Sequence, residues 1–515
     1  MKKLLCLLLC AAMLLALVAC GAKPEQAPNA STSDTPAADA PEKEVRTDLT
    51  MITQVTPDSL DPQGTTMLYA YQVLDNIYDR LVGRDANGNV IPGLAESYSA
   101  NEEGSAFTFK LREGVKFHNG EELTADDVVF TVERGKSLNL SNYALIEAVN
   151  VLSDYEVELV LTQGYAPFLG ILTTSEFSIL NREATEAGGE TYGRSPVGAG
   201  PYKFVEWAEG EYIKLEAFEE YWDGAPSIKD VTIKFIGDTN TALIAMEAGD
   251  ADYSYVVPNT NREDIEANED LKLVDYNSNV LQFLTLNTQN TYLSNKLVRQ
   301  AINYAINRDD VVTVAVEGLG VPTTQYCNPD TFGYLEGSEG YTHDVEKAKT
   351  LMSEAGYADG FTVKVIAQDE MTSKMAQVFA DNLREINITC EIELQESNTA
   401  VSNFIAGNYE IGVLGMGNPT LDFIKMASLF KGNLLLCQAT DGQAEEITAL
   451  FNEAVTHGDD ASRLGAYAGV AEEIWDASYY VPVFFPIRSH LLAADLEIDC
   501  IRGTGIALIK EMHWD

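Results

Sequence analysis

The sequence predicts an α/β protein built as two or more lobes, and three observations carry that prediction. From residue 47 onward, alternating or β-branched runs take turns with runs of helical period. Glycines separate the two kinds of run, as in "SEAGYADGFTVKVIA" at 353–367, where a helix stops and a strand begins. The chain has 515 residues, too many for one small core.

The first segment is not part of that body. "MKKLLCLLLCAAMLLALVAC" has two lysines, then an apolar run, and reads as an export signal. The run is short for a membrane span, and polar sequence follows at once. Its ending "LVAC" resembles a bacterial lipobox, with Cys20 as the lipidated new N-terminus; the alternative is ordinary cleavage near "ALVA". Diacylglycerol on Cys20 brings two chains, enough for a stable anchor. Residues 21–46 are rich in Ala, Pro, Ser, Thr and Asp and predict a flexible tether.

The body begins with "DLTMITQV", a buried strand, followed by a helix over "YAYQVLDNIYDRLVG". "GRDANGNVI" predicts a hairpin turn at Asn87-Gly88. Its D-x-N-x-N run imitates a calcium loop, but Val90 stands where that loop needs glycine. "AFTFKLREGVKF" predicts two paired strands turning near Glu113-Gly114, and "HNGEEL" a turn at Asn119-Gly120. "TADDVVFTVERG" predicts a helix with Thr124 and Asp127 as capping box and Gly135 as stop. Strands follow on either side of Gly210, then a helix over 239–248 ended by Gly249. "NVLQFLTLNT" predicts a strand between lobes, and "SNKLVRQAINYAINRDDVVTVAV" a pair of helices. Helix–strand units recur over 344–367 and 373–394; helices near 443–456 and 462–477 precede the closing strand "YVPVFFPIRSHLLAA". No internal repeat is visible.

Composition excludes one class of function. Acids outnumber bases 79 to 34, a formal charge of −45, and no basic cluster could face nucleic acid. The acidity reads as a solvated surface. Catalytic signatures are absent too: there are five histidines, and no G-x-S-x-G, H-E-x-x-H, Walker loop or strand-linked G-x-G-x-x-G. The polar residues of 111–135, His118 included, have local structural work, so the stretch reads as scaffold. Four cysteines remain in the body (Cys327, Cys390, Cys437 and Cys500), either in disulfides or as buried thiols. No metal site and no cofactor is expected.

Several segments in order carry a resemblance: "SLDPQ" at 59–63, "NIYDRLVGRDANGNVIPGLAESY" at 76–98, and 107–135. It continues through "PVGAGPYKFVEW" at 196–207, "EYWDGAP" at 220–226, "VRQAINYAINRDDV" at 298–311 and "EKAKTLMSEAGYADGF" at 346–361. The chain resembles the family 5 extracellular solute-binding proteins of ABC importers, which include dipeptide, oligopeptide and nickel binders. The resemblance implies a type II periplasmic-binding-protein fold of two hinged lobes plus a small subdomain. Its divisions are 47–90, 191–279 and 488–515 for the first lobe, 91–190 for the subdomain, and 280–487 for the second lobe. It implies a non-catalytic monomer, held at the outer face of the membrane through Cys20, that delivers a small solute to permease and ATPase subunits. Other readings are capture of a metal chelate, a sensing accessory to a chemoreceptor and, last, an exported hydrolase.

The same resemblance supplies candidate ligand residues. Peptide binders of the family place an aspartate in a Gly-Trp-x-x-Asp-x-x-(Asp/Glu)-Pro segment to pair with the ligand ammonium. Here the segment is "LGMGNPTLDF", with Met416 for Trp and Asn418-Pro419 for the acid-Pro pair. Asp422 is the nearest carboxylate, either facing the ligand or as an acid at a helix start. No arginine matches the family's carboxylate clamp in "IAQDEMTSKM"; Lys374 is the nearest cation and Arg488, on the last strand, another, either facing the ligand or in a structural ion pair. Tyr69 and Tyr71 are candidate walls, with Phe283 and Asn287 on the hinge strand.

Overall fold

In the computed structural model, the described residues are 46–258, 262–338, 340–430, 436–440 and 442–515. The signal, Cys20 and the tether as far as Val45 lie outside them. Among the described residues no helix is long and apolar enough to cross a membrane.

One strand organises the rest. Tyr480–Ala493 is 14 residues long, and its first part pairs with Val280–Leu286, its second with Leu271–Asn277. On the Val280–Leu286 side the sheet continues through Ile411–Gly417, Phe361–Ala367 and Ile388–Leu394; these last three run parallel. On the other side it continues through Tyr253–Ser254, Asp48–Thr53 and Asp230–Phe235, again parallel, then Tyr212–Ala217 and Tyr202–Ala208. Apolar cores cover each half. One lies around Leu286, Val298, Ile302, Phe379 and Val481, another around Leu49, Leu74, Tyr202, Ile233 and Leu492.

A separate four-stranded antiparallel sheet forms the subdomain, in the order Ala95–Ala100, Ala106–Leu111, Glu156–Leu161, Ile146–Ser153. The helix Ala125–Ser137 packs on it over Phe107, Phe109, Val128 and Leu159. Its capping box forms as the sequence predicts, with the Thr124 amide donating to Asp127 Oδ2 at 3.0 Å.

Three local expectations are corrected. Ala106–Leu111 does not pair with 115–117; it lies between two other strands, and 115–117 turns back on 121–123 through an isolated bridge at Lys116 and Glu122. Gly135 is not the helix stop. Asn139, at φ 58°, supplies the left-handed turn, while Gly135 admits the Tyr143 ring, which would lie 2.6 Å from an added Cβ. The first helix is Leu68–Ile77 and ends before Tyr78, because Gly200 donates its amide to the Ile77 carbonyl at 2.9 Å and the chain turns extended.

His118 is scaffold, as its setting in the sequence implies. The Gly198 amide donates to Nδ1 at 3.2 Å, so Nε2 carries the proton and donates to the Gly200 carbonyl at 2.9 Å. Cys327, Cys390 and Cys500 lie outside any disulfide, and burial pushes the Cys390 thiol up to about 12.

His490, on the long strand, is 2% exposed and ringed by Tyr253, Tyr255 and Tyr276 at 5.4, 5.0 and 4.9 Å, with Nδ1 bonded to the Tyr253 hydroxyl. Burial pushes it down from 6.5 to about 3. Below its ordinary pKa the unfolded chain therefore takes up a proton that the native state refuses, and stability falls with pH until the depressed value is reached. Between pH 6.5 and 5 this one residue should cost about 2 kcal/mol. Urea unfolding at pH 7 and pH 5 measures it, and His490→Gln should flatten the difference; an equally steep fall in the variant would assign the effect elsewhere.

Candidate ligand-binding site

The register of the long strand fixes where a ligand can sit. Gly417 pairs with Val280, beside the turn Ser278–Asn279 that joins the two partner strands. The carboxyl ends of the second lobe's parallel strands therefore point at the crossing. So does the carboxyl end of Tyr253–Ser254 in the first lobe, which runs antiparallel to Leu491–Leu492. In open α/β sheets the crevice outside these carboxyl ends takes the ligand.

On the second-lobe side, an open depression of about 740 Å³ lies beyond Ala367 and Leu394, lined by Gln368, Asp369, Glu370, Lys374, Leu394 and Gln395. Beside it the strand Ile411–Gly417 runs out into the turn 418–422. This turn is held from three directions. Asn279 at the crossing donates Nδ2 to the Asn418 carbonyl at 2.8 Å, and its own carbonyl accepts from the Asn418 amide at 3.3 Å. Arg84, on the hairpin strand Val82–Arg84, donates to the Thr420 carbonyl, to the Gly88 carbonyl at 2.5 Å and to Thr173 Oγ1 at 3.0 Å. Burial lowers the Arg84 guanidinium to about 10. From the helix Asp460–Ala477, Arg463 and Tyr467 reach the Asp422 carboxylate.

Each residue proposed from the sequence now has a place. Asp422 is 4% exposed, and both its oxygens have internal partners. Oδ2 accepts from Arg463 Nη1 at 2.9 Å; Oδ1 accepts from the Tyr467 hydroxyl at 2.7 Å and the Ile424 amide at 3.0 Å. Burial raises this carboxyl above its ordinary value against the pull of Arg463. The expected ammonium partner is thus already occupied, and the helix-start alternative describes its bond to Ile424. Asn418 is buried and bonded to Asn279, Thr420 and Asp422.

Phe283 is fully buried, edge-on to Tyr480 at 5.7 Å, so it is core and not cleft wall. Asn287 follows the far end of its strand, roughly 20 Å from the crossing, and donates to the Gly407 and Tyr409 carbonyls at 3.0 and 2.7 Å. It too is corrected to a structural role. Lys374 pairs with Glu370 at 3.0 Å on the rim of the depression. Tyr69 and Tyr71 are half-buried at the start of the helix Leu68–Ile77; Tyr69 donates to Gln54 Oε1 at 2.9 Å and Tyr71 to the Thr65 carbonyl at 3.2 Å. Burial, with Glu176, Asp75 and Asp58 nearby, pushes the Tyr71 phenol up to about 12.

Arg488 differs from the rest. It is exposed, stands opposite Tyr276 where the long strand enters the first lobe, and has no hydrogen-bond or ion-pair partner among the described residues. The sequence reading missed Arg84, Asn279 and Arg463, whose partners lie far along the chain. Lys425, just beyond the turn, was passed over as well.

Two lobes sharing one long strand, with strand ends converging on the crossing and cations beside it, define a solute-binding protein. Residues 89–433 match "Bacterial extracellular solute-binding proteins, family 5 Middle", and the chain belongs to that family. It is 29% identical over 347 residues to the glutathione-binding protein GsiB of Salmonella typhimurium, covering 66% of this chain and 68% of that one. The ABC transporter substrate-binding protein CtaP of Listeria monocytogenes shares its fold, with TM-score 0.83 and 23% identity over 92% of this chain and all (100%) of that one. The binding protein DppA of Helicobacter pylori, solved with the peptide STSA, is 26% identical with TM-score 0.74, covering 91% and 98% of the two chains. The chain is accordingly an extracytoplasmic solute-binding component of an ABC importer, and the relatives it matches are binding proteins, not enzymes.

The geometry of Asp422 gives a prediction. Asp422→Asn should lower unfolding stability by about 2–3 kcal/mol, because Arg463, 7% exposed, would lose its buried partner and keep only the exposed Asp460 at 3.2 Å. Denaturant unfolding checks this. A variant as stable as the parent but impaired in ligand binding would return Asp422 to the ligand.

Proposed function

We propose that this chain captures a short peptide between its lobes and delivers it to a membrane permease energised by an ATPase. The lobe limits are those read from the sequence, and the protein acts as a monomer tethered through lipid on Cys20. Arg488 carries the reading: an exposed cation with no partner among the described residues, on the strand both lobes share, suits the carboxylate of a solute held at the crossing. Tyr69 and Tyr71, near the end of the first lobe's opening strand, are the aromatic walls. The peptide class is supported by the glutathione and STSA named for the relatives. Bridging contacts exist only when the lobes close, so ligand shifts the population toward the closed form. No catalytic step is involved.

Native mass spectrometry of the purified protein should find a bound peptide, and recovery of a chelate or sugar would replace that class. Small-angle scattering with saturating ligand should give a smaller radius of gyration than without it, and identical profiles would refute closure. Arg488→Ala should weaken peptide binding roughly ten-fold or more at unchanged stability.

The anchor has its own test. Cys20→Ala should move the protein from the membrane fraction to the soluble fraction, since the acyl chains leave with the thiol. A processed variant that still sediments with membranes would show another anchor.

A further inference from the structure

Lys425 stands out among the cations of this acidic chain. It lies in the 3₁₀ run Phe423–Phe430, directly after the turn 418–422. Phe423, Met426, Ala427, Leu429 and Phe430 face the core, which leaves Ile424, Lys425 and Ser428 half-exposed. In a 3₁₀ helix residues three apart eclipse one another, so Lys425 and Ser428 share a face. Ser428 Oγ donates to the Lys425 carbonyl at 2.8 Å and lies 3.9 Å from Met416 Sδ. That face therefore borders Met416, on the carboxyl edge of the second lobe's sheet.

Several partly buried cations here have an acid (Arg80 has Asp75, Arg134 has Asp61, Arg463 has Asp422, Arg502 has Glu511), and Arg84 and Arg308 spend their guanidiniums on oxygens that are neutral. Lys425 has none. No hydrogen bond, ion pair or ring contact of its ammonium occurs among the described residues, although acids outnumber bases 79 to 34. Burial alone acts on the ammonium, lowering it from its ordinary value. Removing a charge from water without a partner costs free energy, which an anion arriving with the solute would offset.

We propose that Lys425 receives a carboxylate of the bound solute, from the second lobe, at the edge where the strand Ile411–Gly417 ends. The inference rests on the reading that the crossing holds a solute, and it narrows that solute to one with an accessible carboxylate. A peptide C-terminus, an acidic side chain and a small organic acid share this chemistry. Arg488 lies where the long strand enters the first lobe and Lys425 follows the second lobe's turn 418–422, so a solute with two carboxylates could engage both lobes.

Calorimetric titration of the mature protein separates these sources. The probes are glutathione, Ser-Thr-Ser-Ala and a set of dipeptides, the same peptides as C-terminal amides, and succinate and glutarate. The expected result is binding of at least one free acid, with its amide weaker by about 30-fold or more. Lys425→Met should weaken the free acid to the same degree, Lys425→Arg should retain most of the affinity, and Lys425→Met without ligand should melt no lower than the parent. Equal binding of acid and amide, or unchanged binding by Lys425→Met, would overturn the assignment and leave the peptide reading standing. Binding of succinate or glutarate alone, lost in Lys425→Met, would uphold Lys425 and remove peptides. Binding of amides with no carboxylate probe bound would overturn it.

Discussion

The strand Tyr480–Ala493 constrains everything else, because its backbone must be satisfied in two lobes at once. Its residues 480–484 pair with Val280–Leu286, and 487–493 with Leu271–Asn277. Where one partner gives way to the other stand Phe485 and Pro486, and proline has no amide to leave unpaired there. The Ser278 amide fills the gap by donating to the Pro486 carbonyl at 3.0 Å. The strand Gly320–Pro322 also pairs with Phe484–Pro486, so the exchange point stays held within the second lobe while its other partner changes. The long strand also sets the polarity of both sheets so that their parallel strands end at the crossing, and the cleft follows from that register.

The turn 418–422 shows how the crossing reshapes a family segment. Related peptide binders are expected to spend an aspartate here on the ligand. In this chain the acid is drawn inward by Arg463 and Tyr467, while Asn279 and Arg84 tie the backbone to the hinge and to the hairpin of the first lobe. A buried ion pair of this kind adds little net stability over an apolar substitute, but breaking it is expensive. Beside it Leu421, in the left-handed region at φ 47°, is held by backbone hydrogen bonds to Phe332 and Asn418, and the run carrying Lys425 starts directly after this turn.

Most strands and helices were legible because their signals are local. Alternation in "AFTFKL", the capping box at Thr124 and the glycine at 356 each need only neighbouring residues. What failed depended on distant ones. Gly135 looked like a helix stop because nothing nearby shows the Tyr143 ring that needs the space. Asn287 lay on the right strand but at the wrong end, since strand direction relative to the crossing follows from pairing, which sequence does not display. Phe283 faces the core while its neighbour Gln282 faces the other side, and an almost unbroken apolar strand hides which face is which. Asp422 and Arg463 are 41 residues apart. The family resemblance located the segment correctly but could not show that its acid had found an internal partner.

Electrostatics closes the argument about the ligand. A formal charge of −45 repels an anion at long range, yet the Debye length at physiological salt is about 8 Å, so that field fades before it reaches the cleft. Recognition of an anion then depends on the nearest groups alone. Most acids here lie on the solvated surface or are paired, whereas among the described residues Arg488 and Lys425 have no acid partner. On the proposed reading, an acidic protein can hold a carboxylate without a basic surface, provided two cations near the cleft have no acid among the described residues. The inward turn of Asp422 fits the proposed role of Lys425: Arg463 takes the carboxylate three residues before it, so that acid does not compete with a solute for the ammonium.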